Sequence, residues 1–574
     1  MATAVFLGCM FSPPHLLDDT DAVYAQLGRS MLETGDWVTP NLDGVPFMLK
    51  PPLPCWLEAF SYELLGPHDW VARLWVVASV IGLVLLTTRF GRWAFGDQAG
   101  LSAGLALATC IGLWLFTRII IPDAAMALTI TMGMFAFLRA LEEDENHTLR
   151  WALLLGASMG IGVLLKGLIA VLLPAGAGLA YLLLTGQLLR RQTWHRLHLM
   201  PALLVMLAIA APWHVLATLR NPPYLDFTLY SQPAQYRGFF WSYFINEHLL
   251  RFLNMRYPHD YNTVPRGVFW VYQLLWLFPW SVFLPAAAGL SYRPVDRAGR
   301  TRLLALCWIG FAMVFFTFST TQEYYSLPIY PALALLIGSA MDTRSRWLEW
   351  GGKLLAVLAA ICAVTSGIIL YAVRGVPTPG DISEALSRNP QAYTLSLGHM
   401  TDLTLRSFAY LRLPLFLAGA AFLIGALGLF RLRGRRAYWA MAAMMLVFLH
   451  AARIAMTRFD SYLSSYPLAQ TLKHQPPGEL IVQGYYTFSS VFFYTGRRAL
   501  LLNSRVTSME YGSYHPKAPQ VFIGDGDLQR LWAGPQRCYL LAEDRRLPHL
   551  QALLGVSLHL LRESGGKYLF TNRE

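Results

Sequence analysis

The chain has 574 residues, of which 55% are hydrophobic and 14% charged. A soluble domain carries about 25% charged residues, so this balance excludes an ordinary soluble protein and points to one built in a membrane. The net charge of +12 sits in short loops between apolar runs, where it sets orientation in the bilayer, and no nucleic-acid partner is expected.

Residues 1–11 are apolar but fall short of the roughly 20 residues that a span needs. They have neither the positive flank nor the small-residue cleavage site of a signal peptide and read as a clipped first helix. Residues 13–69 then form a long first loop. It opens on LLDDTDAVYAQ, with Asp18, Asp19 and Asp21. Over residues 21–34, Val23, Leu27 and Met31 recur at i, i+4 and i+8 with Tyr24 beside them. Gln26, Arg29, Ser30 and Glu33 take the other face, and Gly35 follows. This is an amphipathic juxtamembrane helix with a glycine stop, expected to lie on the membrane. One helix start uses one capping carboxylate and gains from a neighbouring charge; three carboxylates exceed that need. The loop ends on FMLKPPLPCW, with Lys50.

Apolar runs able to span, or nearly so, begin near Trp70, Ala99, Pro122, Trp151, Leu168, Leu199, Gly267, Leu303, Leu327, Gly352, Tyr410 and Tyr438. With the partial first helix this makes about 13 spans. Six basic loops all fall on one side of that count. They carry Arg89 and Arg92; Arg139 and Arg150; Arg190, Arg191 and Arg196; Arg293 to Arg302; Arg344, Arg346 and Lys353; and Arg431 to Arg436. The positive-inside rule makes this side cytoplasmic. The opposite, periplasmic side receives the first loop, the turns at 118–123, 166 and 320–326, the loops 220–266 and 374–407, and the C-terminal tail.

Several polar residues on that side stand out. Asp123 follows Pro122 at the start of a span. Lys166 interrupts two apolar runs on the side where basic residues are scarce, which suits a cation that neutralises an anion. WSYFINEHLLRFLNMRY brings Glu247, His248 and Arg251 within one helical turn or so. Arg251 offers a planar fork for phosphate, and His248 with Glu247 are weak candidates for a metal. STTQEYYSLPIY places Tyr325, a phenol donor, in a turn before a span. From residue 457 the pattern changes to short strand-like runs, GELIVQGYY, RRALLLN, APQVFIGDG, QRCYLLAED and GKYLFTN, alternating with helical patterns near Leu528 and Leu550. The expected organisation is an all-α polytopic membrane domain, residues 1–456, followed by a small soluble periplasmic α/β domain, residues 457–574. The six cysteines, Cys9, Cys55, Cys110, Cys307, Cys362 and Cys538, form no CxxC pair, so no zinc or disulfide framework is indicated. No GxxxxGK[ST], GxSxG, HExxH or GxGxxG appears in a strand–helix context, so a membrane-delivered donor fits better than a soluble nucleotide sugar.

At these residues the chain resembles the bacterial GT-C polyprenyl-phosphate-dependent glycosyltransferases, near the lipid A aminoarabinose transferases and the protein O-mannosyltransferases. LLDDTDAVYAQLGRSMLETGDWVTPNLDGVPFMLKPPLPCW carries the resemblance, and IPDAAM, LLKGLIAVLLP, NEHLLRF and QEYYSLPIYPALALL follow in the family order. The resemblance implies an inner-membrane, multi-pass glycosyltransferase, acting as a monomer, with an undecaprenyl-phosphate sugar donor and a lipid, glycan or protein acceptor. Aminoarabinose on lipid A is one such pairing. Asp21 or Asp19 would supply the catalytic carboxylate and Asp123 a second one. Lys50, Tyr24, Lys166, Arg251, Tyr325, Glu247 and His248 would bind the lipid phosphate or the sugar. A divalent metal is left open and no other cofactor is implied. Thr20, Val23 and Leu49 depart from the aminoarabinose pattern, so the resemblance implies sugar transfer without fixing the sugar. A transporter or flippase of a lipid-linked sugar is the alternative; it calls for polar residues near mid-bilayer, whereas the candidates here gather at one face.

Overall fold

The computed structural model describes residues 1–259, 264–319, 321–387, 398–505 and 508–573. Residues 260–263, 320 and 388–397, which fall in three of the expected loops, lie outside this description. Among the described residues, nine helices are long and apolar enough to cross a membrane. Two bent pairs, Asp97–Ala108 with Ile111–Thr117 and Arg266–Trp276 with Trp280–Ala288, bring the number to eleven. The sequence count of about 13 is higher. Ile169–Leu184 is apolar but has only 16 residues, and residues 1–11 form a five-residue helix, Ala2–Phe6, and one 3-10 turn, Leu7–Met10.

At one end of the bundle the basic loops meet. Arg300 clamps Glu142 with both arms of its guanidinium, at 2.9 and 2.8 Å. Arg196 donates to the Ala140 and Glu145 carbonyls, and Arg297 reaches Asp144 at 2.7 Å. The Trp93 ring lies between the Arg139 and Arg297 guanidinium groups, 5.3 and 4.8 Å away, a cation–π arrangement. Alternate spans therefore end together, as the loop pattern predicts.

At the other end, the first loop folds into two helices, Thr20–Thr34 and Leu53–Leu65, joined by a short hairpin of β1 (Asn41–Leu42) and β2 (Val45–Pro46). Gly35 stops the first helix in the left-handed conformation, φ +69°, with its N–H on the Met31 carbonyl. The apolar stripe of this helix does not face lipid. Val23, Leu27 and Met31 are buried in one cluster with Leu468, Leu472, Phe488 and Phe492 of the C-terminal region. Burial of such side chains stabilises by about 1.5–3 kcal/mol each, and a folded neighbour offers that burial as well as a bilayer does. The second helix instead leaves Phe60, Leu64 and Leu65 exposed.

The C-terminal region forms one six-stranded sheet. Its strands are β3 (Glu479–Val482), β4 (Leu500–Leu502), β5 (Phe522–Ile523), β6 (Cys538–Glu543), β7 (His559–Ser564) and β8 (Lys567–Thr571), in spatial order β5-β4-β3-β6-β8-β7. The first four pair in parallel, and β8 and β7 add an antiparallel edge. All five strand-like runs of the sequence became strands, and helices cover Asp525–Ala533 and Leu547–Leu554. β7 escaped the sequence reading because HLLRES is a half-exposed edge strand and never forms an apolar run.

Candidate active site

Between the bundle and the first loop lies a cavity of about 990 Å³. Its lower part is apolar, lined by residues such as Val171, Leu172, Leu207 and Phe252 of the spans and the adjoining helix. Its upper part brings together Asp19, Tyr24, Lys50, Asp123, Lys166, Glu247, His248, Arg251 and Tyr325. Nine of the ten residues expected to form a site thus line one space; Asp21 does not.

Two residues of sequence separate Asp19 from Asp21, yet their surroundings differ. Asp21 is fully buried, accepts the Ile120 N–H at 2.7 Å and faces Arg73 at 3.2 Å. Arg73 in turn donates to the Pro13 and His15 carbonyls at 2.5 and 2.8 Å. Asp21 therefore ties the entry of the first loop to the start of the span Leu74–Phe95, and its geometry is that of a structural group. Arg73, at the head of that span, was not singled out in the sequence; a charge beside an apolar run was the available signal.

Asp19 precedes the helix Thr20–Thr34 with a backbone at φ +68°, ψ −117°, a conformation that costs a non-glycine residue of order 1–3 kcal/mol. The C-terminal region holds it there. The Asp19 N–H meets the Tyr486 carbonyl and the Ser489 hydroxyl, both at 2.9 Å. The adjacent Asp18 carboxylate accepts the Ser490 N–H at 2.8 Å and the Ser465 hydroxyl at 2.6 Å, and pairs with Lys567. The Asp19 side chain is accessible from the cavity but walled in by protein. This enclosure, with the Asp18 and Asp21 charges adding to it, raises the carboxyl to about 6.

The cations occupy another part of the same space. Lys166 ends the helix Thr148–Lys166 and pairs with Asp123, the first residue of Asp123–Leu141. Its ammonium lies 5.1 and 4.7 Å from the Tyr324 and Tyr325 rings. Gly167 follows with φ +100°; a Cβ there would lie 2.3 Å from His248 Nε2, so only glycine lets the two segments meet. Arg251 donates to Glu247 and to the Tyr325 hydroxyl, each at 2.9 Å, and Arg256 also pairs with Glu247. Burial works against the Glu247 carboxylate, but Arg256, Arg251 and Lys50 outweigh it and hold the group down at about 2. Lys50 has no carboxylate on it among the described residues. Burial, reinforced by Arg251 and Lys166, lowers its ammonium to about 8. Tyr24 is enclosed, and burial pushes its phenol well above the usual range.

The weak metal candidates are already engaged. His248 Nδ1 lies 2.6 Å from the Tyr243 carbonyl, and its Nε2 accepts the Leu168 N–H at 3.2 Å. Both Glu247 oxygens face arginines. Among the described residues, no group of three His, Cys, Asp or Glu side chains is placed to hold a metal ion. Tyr486 and Ser508 also line the cavity. Both come from the C-terminal region, and nothing in their sequence context marks them.

A family model described as dolichyl-phosphate-mannose-protein mannosyltransferase matches residues 49–215. Among curated relatives, the undecaprenyl phosphate-alpha-4-amino-4-deoxy-L-arabinose arabinosyl transferase of Aeromonas hydrophila is 27% identical over 63% of this chain and 64% of its own length. Arabinosyl transferase 1 of Sodalis glossinidius is 32% identical over 61% of each chain. The match thus spans somewhat under two thirds of these relatives. The crystal structure of ArnT from Cupriavidus metallidurans bound to undecaprenyl phosphate superposes with a TM-score of 0.79 over 100% of this chain and 96% of that one, at 22% identity. The class this defines is one of fold: a polytopic helical protein with the architecture of the ArnT crystal structure. Over part of its length the chain is similar to the curated arabinosyl transferases and to the mannosyltransferase family model.

Proposed function

We propose that this protein is an integral membrane glycosyltransferase that moves a sugar from a polyprenyl phosphate to an acceptor at the periplasmic face, with inversion. One observation carries the reading. A single cavity joins an apolar, lipid-sized lower part to a cluster of Lys50, Lys166 and Arg251, with the bare carboxylate of Asp19 elsewhere on its wall. The isoprenoid tail would occupy the apolar part. The phosphate would meet the cations, whose charge is worth most as the leaving phosphate gains its own. Arg251 is already oriented by Glu247 and Tyr325, and Lys166 by Asp123.

The acceptor oxygen attacks the anomeric carbon from the face opposite the phosphate. The carbon–oxygen bond to the phosphate breaks, and its electron pair stays on the phosphate oxygen. When the acceptor is a hydroxyl, Asp19 takes its proton as general base. Asp21, held by Arg73, takes no part in that step. The domain boundary near residue 457 would separate the membrane part from a periplasmic one. The relatives' names supply 4-amino-4-deoxy-L-arabinose as the first sugar to try, and lipid A as acceptor follows from the same resemblance. Mass spectrometry of lipids and glycans from cells with and without the gene tests the reading. A polyprenyl-linked sugar is expected to accumulate without it, and a glycosylated acceptor to disappear. Translocation of the lipid-linked sugar by purified protein in the absence of acceptor, with no transfer in its presence, would replace the enzyme by a flippase.

A further inference from the structure

A second, smaller cavity of about 310 Å³ lies in the seam between the first loop and the C-terminal region. It shares two lining residues, Asp19 and Tyr486, with the larger one. Asp19 therefore stands on a wall common to both. The remainder of the lining is mostly polar and comes largely from the C-terminal region: Leu463, Thr487, Glu543, Asp544, Arg545 and the β7–β8 turn with Lys567. That turn is built closely against the chain beside it. Gly565 has φ +62°, and a Cβ there would lie 2.3 Å from the Ser461 carbonyl oxygen.

The charges of this lining are unequal. Lys567 is taken by Asp18, and Asp19 and Glu543 stand beside Arg545 in the same lining. A phosphate acceptor, itself anionic, would meet an excess of its own sign; a hydroxyl-bearing saccharide would not, and carboxylates are good acceptors for hydroxyl donors. Inverting displacement also needs the acceptor to arrive opposite the leaving phosphate. Asp19 lines both cavities, whereas Lys50, Lys166 and Arg251 line the larger one alone, so an acceptor in the second cavity meets Asp19 without passing the cations.

We propose that the acceptor reaches Asp19 through this second cavity and presents an uncharged saccharide hydroxyl. The inference rests on the glycosyltransferase reading above and adds the route and the acceptor chemistry. The hydroxyl proton passes to Asp19, the oxygen bonds to the anomeric carbon, and polyprenyl phosphate leaves on the other side.

The test uses the full chain, expressed in cells and purified in lipid nanodiscs. Lipid and water-soluble glycan fractions are analysed separately, which tells a lipid headgroup from a free glycan. The transferred sugar is expected on a saccharide oxygen and therefore resistant to the mild acid that cleaves glycosyl phosphates. Thr487→Trp and Leu463→Trp fill the second cavity from two sides. Each is expected to lower the product by roughly 10²-fold, the scale of a misplaced reactant, while the purified variants bind undecaprenyl phosphate as the unaltered protein does. Unchanged product in both variants overturns the inference, as does a transferred sugar released by mild acid. Loss of undecaprenyl phosphate binding together with product in both variants also overturns it, because the two cavities are then one site. Failure of the unaltered protein to bind undecaprenyl phosphate overturns the glycosyltransferase reading instead.

Discussion

The two walls of the large cavity treat their charges differently. On the wall made by the spans and the helix that carries Glu247, each charge has a protein partner: Asp123 with Lys166, and Glu247 with Arg251 and Arg256. On the wall made by the first loop, Asp19 and Lys50 line the space with no ion pair among the described residues. Pairing fixes geometry, since a partner holds each long side chain in place. An unpaired charge in an enclosed space is costly, and it makes sense where a ligand supplies the partner. The spans thus provide a paired frame, and the loop provides the two groups that line the space without an ion pair among the described residues.

Four experiments break or sharpen that contrast. Asp19→Asn keeps size and removes the base. Transfer is expected to fall by about 10²–10⁴-fold, the usual worth of a general base, with thermal unfolding unchanged or slightly improved. A transfer rate within the error of the unaltered protein would end the role given to Asp19. Asp21→Asn should act on the other quantity. It leaves Arg73 buried without its carboxylate, a loss of about 3–5 kcal/mol, visible as a lower unfolding temperature. Activity of the protein that remains folded is expected to stay. Lys50→Ala removes one charge-assisted contact to phosphate, worth about 1.5–3 kcal/mol, and undecaprenyl phosphate binding should weaken by about 10–150-fold with little effect on folding.

The smallest effect lies in the pH profile. Asp19 must be deprotonated to act as a base, so transfer should rise as pH passes through about 6. Lys50 must be protonated to hold phosphate, so transfer should fall as pH passes through about 8. Rates measured from pH 5 to 9 check both limbs, and Lys50→Arg should move the falling limb upward, because a guanidinium keeps its proton. A falling limb that stays at the same pH in that variant would detach it from Lys50.

Much of this frame can be read in the sequence because it is local. Hydropathy marks the spans, the arginines mark their common end, and Gly35 marks the end of the first-loop helix. LLDDTDAVYAQ, KPP and NEHLLRF point to the residues that line the cavity. What cannot be read is which of neighbouring residues faces it. Asp21 is engaged by Arg73 and Ile120, about 50 and 100 residues away in the chain, and Asp19 is held by Tyr486 and Ser489, farther still, and no periodicity encodes such meetings. The destination of the Val23, Leu27 and Met31 stripe is equally silent. An apolar stripe specifies burial, not the identity of the cover, and here the cover is the C-terminal region. The sequence count of about 13 spans and the up to eleven long apolar helices among the described residues differ at places such as Ile169–Leu184, where hydropathy is high but the helix is short.

The ion pair between Asp18 and Lys567 joins residues 549 positions apart. The order of synthesis gives it a further meaning. All the spans described here precede Lys567 in the chain, and so do Tyr486 and Ser489, which hold Asp19, and Ser465 and Ser490, which hold Asp18; β8, between β6 and β7, adds the last of these contacts. The bundle and its cationic cluster can therefore be assembled before the C-terminal region fixes the backbone at Asp18 and Asp19, so that one wall of the cavity is completed after the other.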